Sequence, residues 1–185
     1  KMSSMVNYED RATCPLFGDG AAAVLMEPTE EPVGFVDGVF HVDGSGLEHL
    51  VYKAGGSAHP TTHETVDAKE NCLYQEGRAV YKSAVMDMFN SSKEVMERNN
   101  LKIEDVKWFV PHQANLRIIE AVGSRLGLSE EQVLVNIQKV GNTSAASIPI
   151  CLDHNKGKLK KGDKIVLTAF GAGFTWGASY LIWGM

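Results

Sequence analysis

The sequence predicts an α/β domain in which buried strands are layered with amphipathic helices. Three observations carry that expectation. Short apolar runs bounded by glycine or proline recur along the chain, as buried strands do. Between them lie stretches with apolar residues at helical spacing, the longest at 77–100. The two kinds alternate, and no repeat, linker or low-complexity stretch divides them. A single domain spanning 1–185 follows, long enough to bury a core of its own.

Residues 21–26 read as a buried strand, an apolar run set between Gly20 and Glu27-Pro28. Residues 33–42 mix Phe, Val and Gly with partial alternation and predict a neighbouring strand. Residues 43–71 lack a period and are rich in Gly, His, Thr and Pro, which predicts a long surface loop. The helix at 77–100 sets Tyr81, Val85, Met88, Phe89 and Met96 on one stripe, with Lys82, Lys93, Glu94 and Glu97 largely off it. Residues 106–110 form a strand whose ladder stops at Pro111. The helix at 115–126 turns Leu116, Ile119, Val122 and Leu126 inward and closes at Gly127. Ser129 and Gln132 fit a capping box for one further turn. Residues 133–140 should be extended and 143–155 helical, with Pro149 marking a kink or an early first turn. Two apolar strands, 164–170 and 174–183, meet across Gly171-Ala172-Gly173.

Composition removes several classes of function. At 44% hydrophobic and 22% charged, the chain lies in the ordinary globular range. No apolar run approaches the roughly 18–20 residues that span a bilayer, and the first residues lack the apolar stretch of a signal peptide. A net charge of −5 argues against a nucleic-acid partner. The three cysteines, Cys14, Cys72 and Cys151, form neither a metal pattern nor a disulfide framework, so a reducing cytoplasm is the expected compartment. His59 and His63 flank Pro60, which disfavours a helical ligand pair, and no metal site is expected. Gly18-Asp19-Gly20 lacks the lysine and the spacing of a phosphate loop.

Two stretches carry the chemistry. Pro111-His112-Gln113-Ala114-Asn115-Leu116-Arg117 puts His112 where a strand passes into a helix, the kind of corner at which α/β sheets bind ligands. A helix N-terminus disfavours imidazolium and so suits a neutral, donating imidazole. Gly141-Asn142-Thr143-Ser144-Ala145-Ala146-Ser147 puts Asn142 at a second such entry. Taken singly, His112 fits a structural role and Asn142 a helix cap. Taken together, they are two neutral donors that the intervening helix and return strand can bring to one edge of the sheet. A third element, Phe170-Gly171-Ala172-Gly173-Phe174, is either a plain hairpin turn or a source of backbone N–H groups for an oxyanion hole.

These stretches resemble the C-terminal half of the β-ketoacyl-[acyl-carrier-protein] synthase III family, thiolase-fold condensing enzymes. The likeness runs from Leu16-Phe17-Gly18-Asp19-Gly20-Ala21 through Gly77-Arg78-Ala79-Val80-Tyr81-Lys82 and the His112 and Asn142 stretches. It ends at Ala169-Phe170-Gly171-Ala172-Gly173-Phe174-Thr175-Trp176-Gly177. The resemblance implies a thiolase-like βαβαβαββ unit with a mixed sheet between helices, and a Cys–His–Asn triad. In that reading the Cys takes an acyl group from acyl-CoA, with acetyl-CoA expected. His112 and Asn142 hold the thioester oxygen of malonyl-[acyl-carrier protein] as it loses CO2. The Ala172 N–H joins the oxyanion hole of the acyl-cysteine, at a position where the family's turn usually carries glycine. Gly77, Arg78, Tyr81, Asn115 and Phe170 match positions that bind the substrate or CoA arm. Gln113 and Arg117 match the carrier-protein surface, Arg117 lying on the polar side of its helix with Glu120 and Ser124. A His–Asn pair separates this family from long-chain relatives with two histidines and from thiolases with a second cysteine.

Nothing in the chain matches the family's nucleophilic Cys, which lies in an N-terminal half. The resemblance therefore implies the C-terminal half of an acyltransferase that starts fatty-acid synthesis, inactive by itself. Its partners would be acyl-CoA, acyl carrier protein and the N-terminal half, in a cytoplasmic enzyme that is a homodimer when complete and uses no cofactor. Two other readings remain open. One is a non-catalytic module that binds carrier protein or CoA; the other is a related condensing enzyme of secondary metabolism or an acyl hydrolase.

Overall fold

Strands rich in Val, Ile and Phe, with apolar side chains on alternate faces, need cover on both sides. In the computed structural model, which describes residues 1–185, that need sets the layers. The strands are β1 (Gly34–Val42), β2 (Leu50–Tyr52), β3 (Leu73–Gln75), β4 (Trp108–Pro111), β5 (Lys164–Gly171) and β6 (Thr175–Ile182). The helices are α1 (His63–Asp67), α2 (Gly77–Arg98), α3 (Leu116–Leu126), α4 (Ile137–Val140) and α5 (Ser147–His154). One sheet has the order β1-β6-β5-β4, and β2 and β3 pair separately. β1 and β6, and β6 and β5, run antiparallel, whereas β5 and β4 run parallel. The sheet is mixed, as expected.

Neighbouring residues of one strand serve opposite faces. Phe109, Val166, Phe170, Ala178 and Tyr180 pack with α2 (Val80, Ala84, Val85, Met88, Val95, Met96) and with Ile118 and Val122 of α3. Val110 and Ile165 pack the other way, with Leu134, Leu159 and Cys151 of α5. The sheet thus lies between α2 and α3 on one side and α5 on the other. Ser91 and Ser92 are wholly buried in α2 because each hydroxyl donates to the Met88 carbonyl, with Asp87 also accepting from Ser91. Asn115 caps α3 by accepting from the Arg117 N–H, and Gly127 ends it in the left-handed region. Ser129 and Gln132 form the expected capping box around a 3-10 turn. Pro149 sits in the first turn of α5, where the helix needs no donor from it.

Three expectations change. Residues 21–26 form no strand, and Val24, Leu25 and Met26 are 69%, 85% and 73% exposed. The apolar run suits a ladder, but β1 at the sheet edge pairs only with β6 and no strand lies beside 21–26. Residues 43–71 are not one loop: a 3-10 turn at Gly44–His49, strand β2 and helix α1 interrupt them. Local caps explain α1, since Thr62 and Thr65 satisfy each other's backbone N–H groups. Finally, 137–140 is helical rather than extended. The Gln113 Oε1 accepts from the N–H groups of Asn136 and Ile137, supplying partners that a helix start lacks.

Candidate functional site

The first corner is built by side chains. Parallel pairing carries β4 as far as Pro111 opposite Thr168, and the His112 N–H then donates to the Thr168 carbonyl at 2.7 Å. Beyond it the chain turns into α3. Gln113 is 0% exposed, which overturns its expected place on a carrier-protein surface. Its Nε2 donates to the carbonyls of Pro111 (2.8 Å) and Leu134 (3.3 Å), and its Oε1 accepts from Asn136 and Ile137. All four hydrogen-bonding capacities are used internally, so Gln113 ties the His112 corner to the segment entering α4. His112 itself is half-buried, with Nδ1 2.6 Å from the Ser147 Oγ. Burial lowers its pKa from 6.5 to about 4, so the ring is neutral at pH 7.

The second corner is built by backbone. Gly141 has φ 67° and ψ −164°, a region essentially restricted to glycine. Asn142 then bridges to the 16–18 segment: its N–H donates to the Leu16 carbonyl (2.8 Å) and its carbonyl accepts from the Gly18 N–H (2.9 Å). Any side chain at residue 18 would collide with this arrangement, because a Cβ there would lie 1.9 Å from the Val140 carbonyl oxygen. The Asn142 Oδ1 accepts from the Ser144 N–H at 2.9 Å. That bond assigns the amide oxygen and leaves Nδ2, with its two donors, without a protein partner.

Both corners open on one cavity of about 730 Å³. Its wall contains His112, Asn142, Ala172, Gly77, Arg78, Tyr81, Asn115, Phe170 and Arg117, every expected site residue except Gln113. Arg78, Tyr81 and Arg117 are exposed, and the Arg117 guanidinium lies over the Tyr81 ring at 5.5 Å. The start of α2 is held in place by Glu76, whose N–H donates to the His49 carbonyl and whose carboxylate meets the His49 Nδ1 at 2.6 Å. Phe170, in the wall, packs at a tilt against the Phe174 ring with 4.8 Å between ring centres. Asn115 serves α3 as its cap while also facing the cavity.

No cysteine lies in that wall. Cys151 is buried against α5's neighbours, and burial pushes its thiol up to about 12, far from a reactive thiolate. Sequence reasoning quoted Ser147 and the 16–18 segment within its motifs but gave neither a role in the site. The signal for Gly18 was a glycine of no evident turn type; for Ser147 it was a hydroxyl at the end of the Asn142 stretch, where α5 begins. Chemically, the arrangement offers two neutral donors, one imidazole and one amide, with no counter-charge between them. Such a pair stabilises a developing oxyanion.

The comparisons with known proteins bear on the family and the fold. Residues 96–183 match the family model "3-Oxoacyl-[acyl-carrier-protein (ACP)] synthase III C terminal", and residues 1–44 match "3-Oxoacyl-[acyl-carrier-protein (ACP)] synthase III". The β-ketoacyl-[acyl-carrier-protein] synthase III of Porphyromonas gingivalis is 61% identical over 183 residues, 99% of this chain and 55% of that protein. The chain belongs to the 3-oxoacyl-[acyl-carrier-protein] synthase III family. Among solved structures, the synthase III of Thermus thermophilus superposes with a TM-score of 0.87 at 41% identity, over 98% of this chain and 56% of that one. That of Pseudomonas aeruginosa gives 0.88 at 37%, over 100% and 57%. A priming β-ketosynthase of the R1128 polyketide pathway gives 0.84 at 32%, over 99% and 55%. The fold is therefore thiolase-like and α/β, and the chain spans about half the length of the synthase III relatives it matches. No helix is long and apolar enough to cross a membrane.

Proposed function

We propose that this chain supplies the His–Asn half of a condensing enzyme that joins an acyl-CoA, acetyl-CoA in the first instance, to malonyl-[acyl-carrier protein] at the start of fatty-acid synthesis. One observation carries the reading: His112 and Asn142 line a single cavity, and the Asn142 Oδ1 is already taken by the Ser144 N–H, which leaves its Nδ2 to donate. The malonyl thioester oxygen accepts from both donors. The bond to the departing CO2 then breaks with its electron pair delocalised onto that oxygen, and the enolate carbon attacks an acyl-cysteine thioester, expelling the thiolate. The nucleophilic cysteine comes from outside these 185 residues, from the N-terminal half of the enzyme. The Ala172 N–H faces the acyl thioester oxygen. Gly77, Arg78, Tyr81, Asn115 and Phe170 line the path of the pantetheine arm, and Arg117 meets the acidic carrier protein at its mouth. We place the complete enzyme in the cytoplasm as a homodimer that needs no cofactor beyond its substrates. The similarity to the R1128 priming enzyme supports the same chemistry in polyketide initiation as a second reading, which the acyl-chain preference of the complete enzyme would distinguish.

The test joins the chain to its N-terminal half. The joined protein should form acetoacetyl-carrier protein from acetyl-CoA and malonyl-carrier protein, whereas the chain alone should form none. Turnover by the chain alone would contradict the split site. In the joined protein, Asn142→Ala should slow malonyl decarboxylation about 10²-fold, the size of one lost oxyanion donor, and slow acyl transfer far less. An equal loss in both steps would remove Asn142 from the assigned role.

A further inference from the structure

We infer that Ser147 fixes the tautomer of His112, holding Nδ1 as a hydrogen-bond acceptor so that Nε2 carries the ring proton. Ser147 opens α5 and is only 1% exposed. Its hydroxyl meets two groups: the His112 Nδ1 at 2.6 Å and the Gln113 backbone nitrogen at 3.3 Å. The Gln113 N–H can only donate, so it occupies a lone pair of the Ser147 oxygen. The hydroxyl proton then needs an acceptor. A serine in a helix commonly gives it to a carbonyl of the preceding turn, but the Ser147 Oγ makes no such bond. The one acceptor within reach is Nδ1.

The opposite tautomer fails on the same count. With a proton on Nδ1, the Ser147 oxygen would face two donors and its own proton would be buried without a partner, an arrangement that proteins avoid. A neutral ring with Nδ1 accepting has its single proton on Nε2, which makes no hydrogen bond within the protein. Ser147 is therefore a positioning residue: it touches no substrate and acts through His112. On the reading that His112 holds a thioester oxygen, this is what makes the imidazole a donor rather than a base. The serine lies in the helix that follows the Asn142 turn and the short 3-10 turn at Ser144–Ala146, so the segment that carries the amide also orients the imidazole.

The inference can be read without substrate, by nitrogen-15 NMR of the histidine-labelled chain at pH 7. In the wild type, Nδ1 of His112 should show the shift of an unprotonated ring nitrogen and Nε2 that of a protonated one. In Ser147→Ala the ratio of the two tautomers should move toward the Nδ1–H form by at least about five-fold, the factor set by an ordinary net hydrogen bond. Ser147→Thr, which keeps the hydroxyl, should restore the wild-type pattern. A protonated Nδ1 in the wild type would overturn the inference, as would an unchanged ratio in folded Ser147→Ala. Should the alanine variant not fold, Ser147→Cys, whose thiol is a weaker donor, should shift the ratio in the same direction by a smaller factor, and an unchanged ratio there would overturn the inference. These spectra stand apart from turnover: a joined enzyme that failed to condense would refute the proposed function and leave the tautomer result intact.

Discussion

His112 and Asn142 reach the same cavity by opposite means. The His112 corner is set by buried polar side chains, Gln113 beneath the turn and Ser147 beside the ring. The Asn142 corner is set by backbone, through a glycine-only conformation at 141 and a bridge that needs no side chain at Gly18. The difference predicts different vulnerabilities. The first corner should fail when a hydrogen-bonding group is deleted, the second when an atom is added.

The sharpest break of the first corner is Gln113→Ala. It strands two carbonyls and two N–H groups that the amide now satisfies in a site without water access. Because each abandoned buried group costs about 1–3 kcal/mol, the loss of unfolding free energy should reach about 4 kcal/mol by urea denaturation. Gln113→Glu repairs the acceptor side only and should recover part of it. A loss below about 1 kcal/mol for the alanine variant would show that Gln113 does not hold the corner.

The second corner should break on addition. In Gly18→Ala the new methyl group would lie 1.9 Å from the Val140 carbonyl oxygen, a backbone atom that cannot swing aside. The 16–18 bridge must then part from Asn142, at a cost of about 2–3 kcal/mol in the range of overpacked sites. Hydrogen exchange offers the finer check, since the Asn142 and Gly18 amides should lose protection before those of β5. If the variant keeps both the stability and the protected amides, the bridge does not position Asn142.

The same contrast explains what was legible in the sequence. Periodicity located α2, α3, β1, β5 and β6, because each buries a face that the pattern records. Neither corner's support was legible in that way. Gln113 reads as a polar residue on a turn, and only the three-dimensional return of 134–137 surrounds it with partners. Gly18 reads as one glycine among several until residue 140 is seen against it. Residues 21–26 show the converse: an apolar run states what would suit it, and the sheet as formed offers no ladder there. Residues 112, 142 and 172 could be singled out because a hydrogen-bond donor stands beside a strand end at 112 and beside a glycine at 142 and 172, whereas the positioning residues carry no such coincidence.

A third prediction tests how dry the His112 corner is. The folded ring has a pKa of about 4, below the ordinary 6.5. Between those values the unfolded chain takes up a proton that the folded chain refuses, so stability falls as pH drops through that window. At pH 4.5 the deficit should be about 2 kcal/mol relative to pH 7. His112→Gln has no such proton to bind. Its urea midpoints at the two pH values should differ by correspondingly less than those of the wild type, while carboxylates titrating at lower pH affect both proteins alike. Equal pH slopes in the two proteins would mean that the imidazole is not desolvated.

The smallest effect belongs to the rim, where neither mode of support applies. Arg117 is exposed and touches the protein through the face of Tyr81. A cation over a ring at such a site contributes about 0.5–1 kcal/mol, so Arg117→Glu should lower stability by no more than that. Its consequence should lie in recognition. Reversing a charge at the mouth of the cavity should raise the KM for malonyl-carrier protein about tenfold in the joined enzyme. Acetyl-CoA reaches the cavity without a protein surface around it, so its KM should move less than about three-fold. Added salt should narrow the gap between variant and wild type, because screening weakens a surface charge contact and leaves buried donors nearly untouched. A carrier-protein KM that ignores both the substitution and the salt would take Arg117 out of the docking surface.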